Sequence, residues 1–292
     1  MPEGEGNVTK GIVMYQLAAF DMDGTLLNSK KEMSAKTVDA ISRALKAGKK
    51  VALSTGRCVA ELRPYKKELS QIQYGILESA SLLYDFFEEK VISKDFIDPE
   101  LVPLVMKAID GTDLMTFAMS DGECHVKQSL MENLDGYHMG AYRNLYESCA
   151  TMLEDDRDFI LHAGRTFEKI NLYHLREADR ARTRSRLTEL LEQVGGNLEL
   201  TDAETTSLEI TPPGLNKGAG LIQLCKMLNV PIEEAIAVGD ADNDISMLEV
   251  AGLGVAMGNA NERVKASANV LVSDCDHEGC VEVIDHYLLG EA

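Results

Sequence analysis

Two aspartates directly after a short apolar run constrain this fold more than any other feature of the chain. Residues 15–20 (YQLAAF) are mostly apolar, and residues 21–27 (DMDGTLL) follow them without a break. An apolar run that ends abruptly in acid is typical of a buried strand with carboxylates at its C-terminal end. Asp21 and Asp23 are two apart, so a continuing strand would point both to one face, and Gly24 permits a turn.

The spacing of these two carboxylates predicts a bound cation. Neighbouring carboxylates repel each other unless a cation lies between them, and a hard, oxygen-seeking ion such as Mg²⁺ is the natural occupant. A polar loop after a strand would account for one aspartate, but it accounts poorly for D-x-D-G-T behind an apolar run. The stretch 21–27 therefore predicts a catalytic metal site.

Two further segments turn from apolar to polar in the same way. These are residues 50–57 (KVALSTGR) and residues 235–244 (AIAVGDADND). A helix with Ser34 as its N-cap is predicted between residues 21–27 and residues 50–57. Strand–helix–strand connections give parallel strands whose C-terminal ends share one edge, and ligands of open α/β sheets bind at that edge.

Lys217 opens a predicted helix that runs to about Leu228. A lysine in the first turn is poorly placed for the helix dipole, which favours anions there. A bound phosphate would remove the conflict, because a helix N-terminus and an ammonium group together form an anion site. Lys217 is therefore a candidate phosphate ligand.

These four motifs together resemble those of the haloacid dehalogenase (HAD) superfamily, in its Cof-type subfamily with a class IIB cap. The resemblance implies that Asp21 is the nucleophile, that Asp23 is the acid and base, and that Thr55 and Lys217 are catalytic residues that hold the phosphoryl group. The implied Mg²⁺ ligands are Asp21, Asp23, Asp240, Asn243 and Asp244. The implied phosphate or substrate contacts are Gly24, Thr55, Gly56, Arg57 and Lys217.

Some of these residues also have plainer interpretations. Taken alone, Thr55 also suits a helix N-cap, although its position after a second parallel strand favours a functional role; for Arg57, a surface salt bridge is an equal alternative. Residues 78–80 (ESA) depart from the Asn-Gly pair that is common in the subfamily. Substrate contacts from that loop are therefore not carried over.

The predicted fold class is α/β, a doubly wound parallel-sheet (Rossmann-like) core with an inserted α+β cap domain. The predicted boundaries are a flexible extension over residues 1–13, a core over 14–82 and 205–292, and a cap over 83–204. Within the cap, Lys169, Arg165 and His162 are candidates for substrate selection. The alternative is that they are exposed charges on a sheet or loop.

Composition narrows the class of function. The net charge of −19 disfavours a nucleic-acid or anionic-membrane partner. With no signal-peptide pattern and no apolar run long enough to span a bilayer, a cytoplasmic protein is predicted. We expect a Mg²⁺-dependent phosphatase that forms an aspartyl-phosphate and acts on a small phosphorylated metabolite, either a sugar phosphate or a cofactor phosphate. A monomer or small homo-oligomer is expected.

Two other classes of function remain open from the sequence. A phosphotransferase or mutase would use the same aspartyl-phosphate with a sugar in place of water as acceptor. A phospho-accepting receiver module also carries an acidic pocket on a doubly wound sheet. Such a module would be about half this length and would not need Asp23, so turnover is favoured over it.

Overall fold

A computed structural model describes residues 14–204 and 206–291, so the predicted extension over residues 1–13 lies outside the described residues. The strands are β1 Leu17–Phe20, β2 Lys50–Ser54, β3 Tyr74–Leu77, β4 Leu82–Asp85, β5 Lys90–Lys94, β6 Leu114–Ser120, β7 Glu123–Lys127, β8 Thr151–Leu153, β9 Lys169–His174, β10 Glu199–Glu204, β11 Ser207–Thr211, β12 Ala235–Gly239, β13 Leu253–Ala256 and β14 Val270–Leu271. The α-helices are α1 Ala35–Lys46, α2 Val59–Leu62, α3 Val102–Ala108, α4 Gln128–Met131, α5 Arg143–Cys149, α6 Asp156–His162, α7 Glu177–Gln193, α8 Lys217–Leu228, α9 Ile245–Val250, α10 Glu262–Ser267 and α11 Gly279–Glu282. Among these described helices, none combines the length and the apolar character needed to cross a membrane.

The chain divides into two compact units, residues 14–51 with 225–291 and residues 52–224. In the first unit, β14, β13, β12 and β1 lie side by side in that order, and all are parallel. Strand β2 begins in this unit, where the Lys50 N–H donates to the Gln16 carbonyl (2.8 Å). Parallel strands with helices between them are the predicted α/β arrangement.

The strands and the first helix of this unit form where their sequences predict. Every residue of β1 is buried, as expected for a parallel strand covered on both faces. Helix α1 has Ser34 as its N-cap, and the Ser34 hydroxyl accepts a hydrogen bond from the Thr37 N–H (3.0 Å). The predicted helix start is therefore confirmed.

In the second unit, β2 pairs in parallel with β3, and β4 and β5 continue that sheet antiparallel. A separate six-stranded sheet has the order β10-β11-β9-β6-β7-β8. Its two faces pack into different hydrophobic cores, since Ala118 and Leu172 belong to one and their neighbours Phe117 and Tyr173 to the other. This alternation follows from the twofold repeat of side chains along a strand.

Strand pairing places two segments differently from the predicted domain boundaries. The sequence assigns residues 83–94 to the cap, but the β4–β5 hairpin pairs with β3 instead. Only four residues join β3 to β4, and such a short connection favours an antiparallel neighbour. Conversely, β11 lies beyond the predicted end at residue 204 but pairs with β9 of the six-stranded sheet.

His174 at the end of β9 is completely buried between polar partners. Its Nδ1 lies 2.9 Å from the Thr206 carbonyl oxygen and its Nε2 lies 3.0 Å from the Thr183 hydroxyl. Burial lowers the pKa of the imidazole below its usual value, against opposing contributions from the Thr206 carbonyl and Asp179. The neutral ring therefore donates from Nδ1 to the carbonyl and accepts from the Thr183 hydroxyl.

We expect the second unit to lose stability in mild acid because of His174. The unfolded chain takes up a proton near pH 6.5, whereas the folded imidazole resists it, so the stabilisation is present above that pH and is lost as the pH falls towards the folded-state pKa. Thermal unfolding from pH 8 to pH 5 should show a smaller decline for His174→Gln than for wild type. His277→Gln, at an exposed histidine, is the control. Equal slopes for wild type and His174→Gln would contradict the prediction.

Candidate active site

Asp21 lies at the C-terminal end of a buried strand, as predicted. Its N–H donates to the Val238 carbonyl of β12 (2.9 Å), so the strand pairing extends up to the aspartate. The residue is only 6% exposed. Beyond it the chain turns back, and the Leu26 N–H donates to the Asp21 carbonyl (3.3 Å). The backbone therefore fixes the position from which this carboxylate projects.

Gly24 occupies a turn that only glycine fits without strain. Its φ is +84°, and a Cβ added here would lie 2.4 Å from Asp240 Oδ2. Positive φ and a contact this close each exclude ordinary side chains. The glycine thereby brings the backbone of the first motif against the Asp240 carboxylate.

Asp240 and Asp244 form a tight turn at the end of β12. The Asp244 carboxylate is completely buried, and its Oδ2 accepts hydrogen bonds from the N–H groups of Asp240 and Ala241 (2.9 Å each). Both backbone N–H groups thereby have an acceptor inside the turn. Asp244 therefore holds the backbone of Asp240 in place as well as contributing a charge.

Three carboxylates of this unit converge at one point. Asp21, Asp240 and Asp244 each offer an oxygen, and these atoms lie within 4.8 Å of one another. At such separations three negative charges repel strongly, and a small divalent cation is the direct way to offset the repulsion. The donors are all oxygen, which suits Mg²⁺ or a similar hard ion rather than a soft one. The residues present therefore fit the predicted metal.

Two of the predicted metal ligands lie outside this group of three. The Asp23 carboxylate forms an ion pair with Lys31, with Lys31 Nζ 2.8 Å from Asp23 Oδ1. Asn243 is exposed on the 3₁₀ turn Asp242–Asp244. The neighbouring Asp242 is exposed and accepts a hydrogen bond from Arg263 (2.7 Å).

Thr25 and Asn259 contact Asp240, and sequence reasoning missed both. The Thr25 hydroxyl donates to Asp240 Oδ1 (2.9 Å), and Asn259 Nδ2 donates to Asp240 Oδ2 (3.2 Å). Asn259 follows β13 closely, and the C-terminal ends of parallel strands share an edge. That position, and the place of Thr25 within the first motif, were the available signals.

Thr55 and Arg57 lie in the loop after β2, in the second unit. The Thr55 N–H donates to the Ile76 carbonyl (2.8 Å), and the Thr55 hydroxyl accepts from the Arg57 N–H (3.3 Å). Thr55 does not cap a helix, because the N-cap of α2 is Cys58, so that alternative is wrong. Arg57 is buried, with its guanidinium 5.5 Å from the centre of the Tyr65 ring.

Lys217 and Lys169 are both buried lysines of the second unit. Lys217 begins α8, as predicted, and is 2% exposed. Lys169 on β9 is 1% exposed, and its Nζ lies 2.7 Å from Glu209 Oε1 and donates to the Ser79 hydroxyl (3.1 Å). A buried ammonium needs such partners. The alternative that Lys169 is an exposed charge is therefore wrong.

The other two cap candidates are exposed. His162 ends helix α6, and its Nδ1 lies 2.9 Å from Asp158 Oδ1 one helical turn away. Arg165 lies in the segment between α6 and β9. Both residues are therefore exposed charges, as the alternative interpretation holds. Their part in substrate selection stays a prediction.

The departure at residues 78–80 corresponds to an unusual turn. Glu78, Ser79 and Ala80 have φ values of 53°, 59° and 80°, a region that side chains rarely adopt. The Glu78 N–H donates to the Arg57 carbonyl (3.1 Å), and the Ser79 N–H donates to the Thr55 carbonyl (3.4 Å). The strained turn therefore stabilises the Thr55 loop through these two backbone hydrogen bonds. Burial raises the pKa of the Glu78 carboxyl well above its usual value.

Sequence comparison relates the chain to hydrolases and phosphatases. A family model of haloacid dehalogenase-like hydrolases matches residues 18–284. The phosphatase YwpJ of Bacillus subtilis (strain 168) is 28% identical over 286 residues, which cover 94% of this chain and 100% of that protein. The pyridoxal phosphate phosphatase YbhA of Escherichia coli (strain K12) is 26% identical over 277 residues, which cover 94% of this chain and 99% of that protein.

The fold is shared with solved structures as well. The crystal structure of a haloacid dehalogenase-like hydrolase from Bacteroides thetaiotaomicron matches with a TM-score of 0.79 and 26% identity, over 93% of this chain and 99% of that one. The resemblance carried by the four motifs and the predicted α/β class are thereby confirmed. The chain belongs to the haloacid dehalogenase-like hydrolase family.

Proposed function

We propose that the protein is a Mg²⁺-dependent phosphatase that hydrolyses a small phosphorylated metabolite through an aspartyl-phosphate on Asp21. The observation that carries the proposal is the convergence of Asp21, Asp240 and Asp244 within 4.8 Å. Relatives that match nearly the whole chain are named phosphatases, which supports the same reaction here.

Asp21, Asp240 and Asp244 would hold the metal, and the motifs add Asp23, through its carbonyl, and Asn243. Bound there, Mg²⁺ would neutralise charge on the phosphoryl oxygens. The remaining work falls to the side chains. The Asp21 carboxylate attacks phosphorus, forming a new O–P bond as the ester O–P bond breaks. Asp23 gives a proton to the leaving oxygen, then takes one from the water that releases phosphate and restores Asp21.

Most of the proposed phosphate ligands belong to the second unit. Thr55 and Lys217 would bind the phosphoryl oxygens as charge spreads over them, with Gly24, Gly56 and Arg57 as further contacts. The chemistry of the two groups supports these roles, because a hydroxyl and an ammonium group both donate hydrogen bonds to phosphate oxygens, and Lys217 begins helix α8. Selection of the leaving group by Lys169, Arg165 or His162 is part of the same proposal.

The substrate is proposed by class. Sugar phosphates come first, and a cofactor phosphate is the second choice, because the Escherichia coli relative is named a pyridoxal phosphate phosphatase. A cytoplasmic monomer or small homo-oligomer remains the prediction from the sequence. Transfer to a sugar acceptor would appear as a phosphorylated product in place of free phosphate.

The test is phosphate release across a panel of sugar, nucleotide and cofactor phosphate esters, with Mg²⁺ and with EDTA. We expect release from at least one ester to fall by about 100-fold or more in EDTA, since a single preorganised electrostatic contact already contributes about that factor. Adding Mg²⁺ back should restore the rate. Release that persists after the metal has been stripped would contradict the proposal.

A further inference from the structure

Asn259 links three separate segments of the first unit through one side-chain amide. Its Nδ2 donates to the Gly24 carbonyl (2.8 Å) and to Asp240 Oδ2 (3.2 Å), and its Oδ1 accepts from the Cys275 N–H (3.0 Å). Carbonyl and carboxylate oxygens only accept, and a backbone N–H only donates. The orientation of the amide is therefore fixed by its partners.

The two Nδ2 contacts lie on the metal-binding segments. Gly24 belongs to the turn that follows Asp21 and Asp23, and Asp240 is one of the three converging carboxylates. With Thr25 on Oδ1 and Asn259 on Oδ2, each Asp240 oxygen accepts a hydrogen bond from a neutral side chain. Neutral donors fix the plane of the carboxylate without cancelling the charge that attracts a cation.

We infer that Asn259 is a positioning residue for the metal site, holding Asp240 and the Gly24 turn in the arrangement that a cation binds. The inference rests on the proposed function for the metal site itself. Without this amide, repulsion from Asp21 and Asp244 would turn the Asp240 carboxylate about its remaining Thr25 contact, and metal binding would have to restore its position at a cost in affinity. Partners of this kind contribute about 10–100-fold to metal affinity.

Two features of the chain make the inference testable. Asn259 is exposed, so its truncation removes little packing. Asn261, two residues on, provides a matched control. It also makes three side-chain hydrogen bonds, to Asp242 Oδ1 (3.0 Å) and from the N–H groups of Arg263 (3.0 Å) and Val264 (3.1 Å), but none of them reaches Asp240.

The experiment is a titration of full-length protein with Mn²⁺, followed by the paramagnetic resonance of the free ion. We expect Asn259→Ala to weaken the stoichiometric site by about 10–100-fold. The Mn²⁺ affinity of Asn261→Ala should stay within about twofold of wild type. Its thermal stability should fall, because Asn261 is the N-cap of helix α10. Circular dichroism and thermal unfolding in EDTA establish that both variants fold.

A kinetic measurement separates positioning from general damage. In Asn259→Ala, the Mg²⁺ concentration for half-maximal activity should rise by the same factor as the Mn²⁺ dissociation constant, with KM for substrate at saturating metal unchanged. Wild-type Mn²⁺ affinity in folded Asn259→Ala would overturn the inference and leave the proposed function standing. A wild type with no stoichiometric Mn²⁺ site, or with a site that Asp240→Asn does not weaken, would overturn both.

Discussion

Replacing Asp21 by asparagine is expected to lower kcat by about 10⁴-fold or more, because loss of the nucleophile in comparable hydrolases costs at least that much. The carboxamide has the same shape but is a far weaker nucleophile. The fold should survive, because the variant removes one charge from three that repel one another. The measurement is phosphate release from the best ester of the panel, together with thermal unfolding in EDTA.

The control is Asp39→Asn, which makes the same chemical change on the exposed face of α1. Asp39 forms a surface ion pair there with Arg43, one helical turn away. Such pairs contribute about 0–1 kcal/mol, so this control should keep full activity and stability. Turnover by Asp21→Asn within tenfold of wild type would exclude Asp21 as the nucleophile.

The second large effect is expected at Asp244, on stability and metal binding together. Asp244→Ala removes the acceptor of two backbone N–H groups and should lower the free energy of unfolding by about 2–4 kcal/mol, since a hydrogen bond to a charged group contributes about 1.5–3 kcal/mol. Asp244→Asn keeps an oxygen that can accept both hydrogen bonds, so this variant should lose less of the free energy of unfolding. Both variants should lose the stoichiometric Mn²⁺ site.

Urea unfolding in EDTA measures the stability effect without the metal. Asp242→Ala is the control, because Asp242 is exposed and contacts Arg263 and Asn261 rather than the converging carboxylates. The free energy of unfolding of Asp242→Ala should lie within about 1 kcal/mol of the wild-type value. An Asp244→Ala protein as stable as Asp242→Ala would show that the buried carboxylate does not hold the turn.

Much of the first unit follows from its sequence because two of its strands, β1 and β12, are buried runs that end in acid. Strands β1 and β12 lie where the apolar runs predict them, and Asp21 and Asp240 follow them directly. The convergence of Asp21 and Asp240 follows from parallel pairing alone. Local signals were sufficient here because strand direction, burial and the positions of the acids all agree.

The residues around the acids could not be read in the same way. Asn259 approaches Asp240 only through folding, and its place shortly after β13 was the one sequence signal for it. Lysine is usually a surface residue, yet pairing of β9 with β11 brings Glu209 to the buried Lys169, whose ammonium group also donates to the Ser79 hydroxyl. Pairing between distant segments sets these contacts, and a local pattern does not encode it.

The stereochemical course at phosphorus tests the central claim most directly. A phosphorothioate ester made chiral at phosphorus by sulfur and two oxygen isotopes would be hydrolysed by the wild-type protein in water of the third oxygen isotope, and the configuration of the released thiophosphate determined. Transfer first to Asp21 and then to water involves two in-line displacements, so the account predicts net retention. Inversion would mean a single attack by water and would contradict an aspartyl-phosphate intermediate.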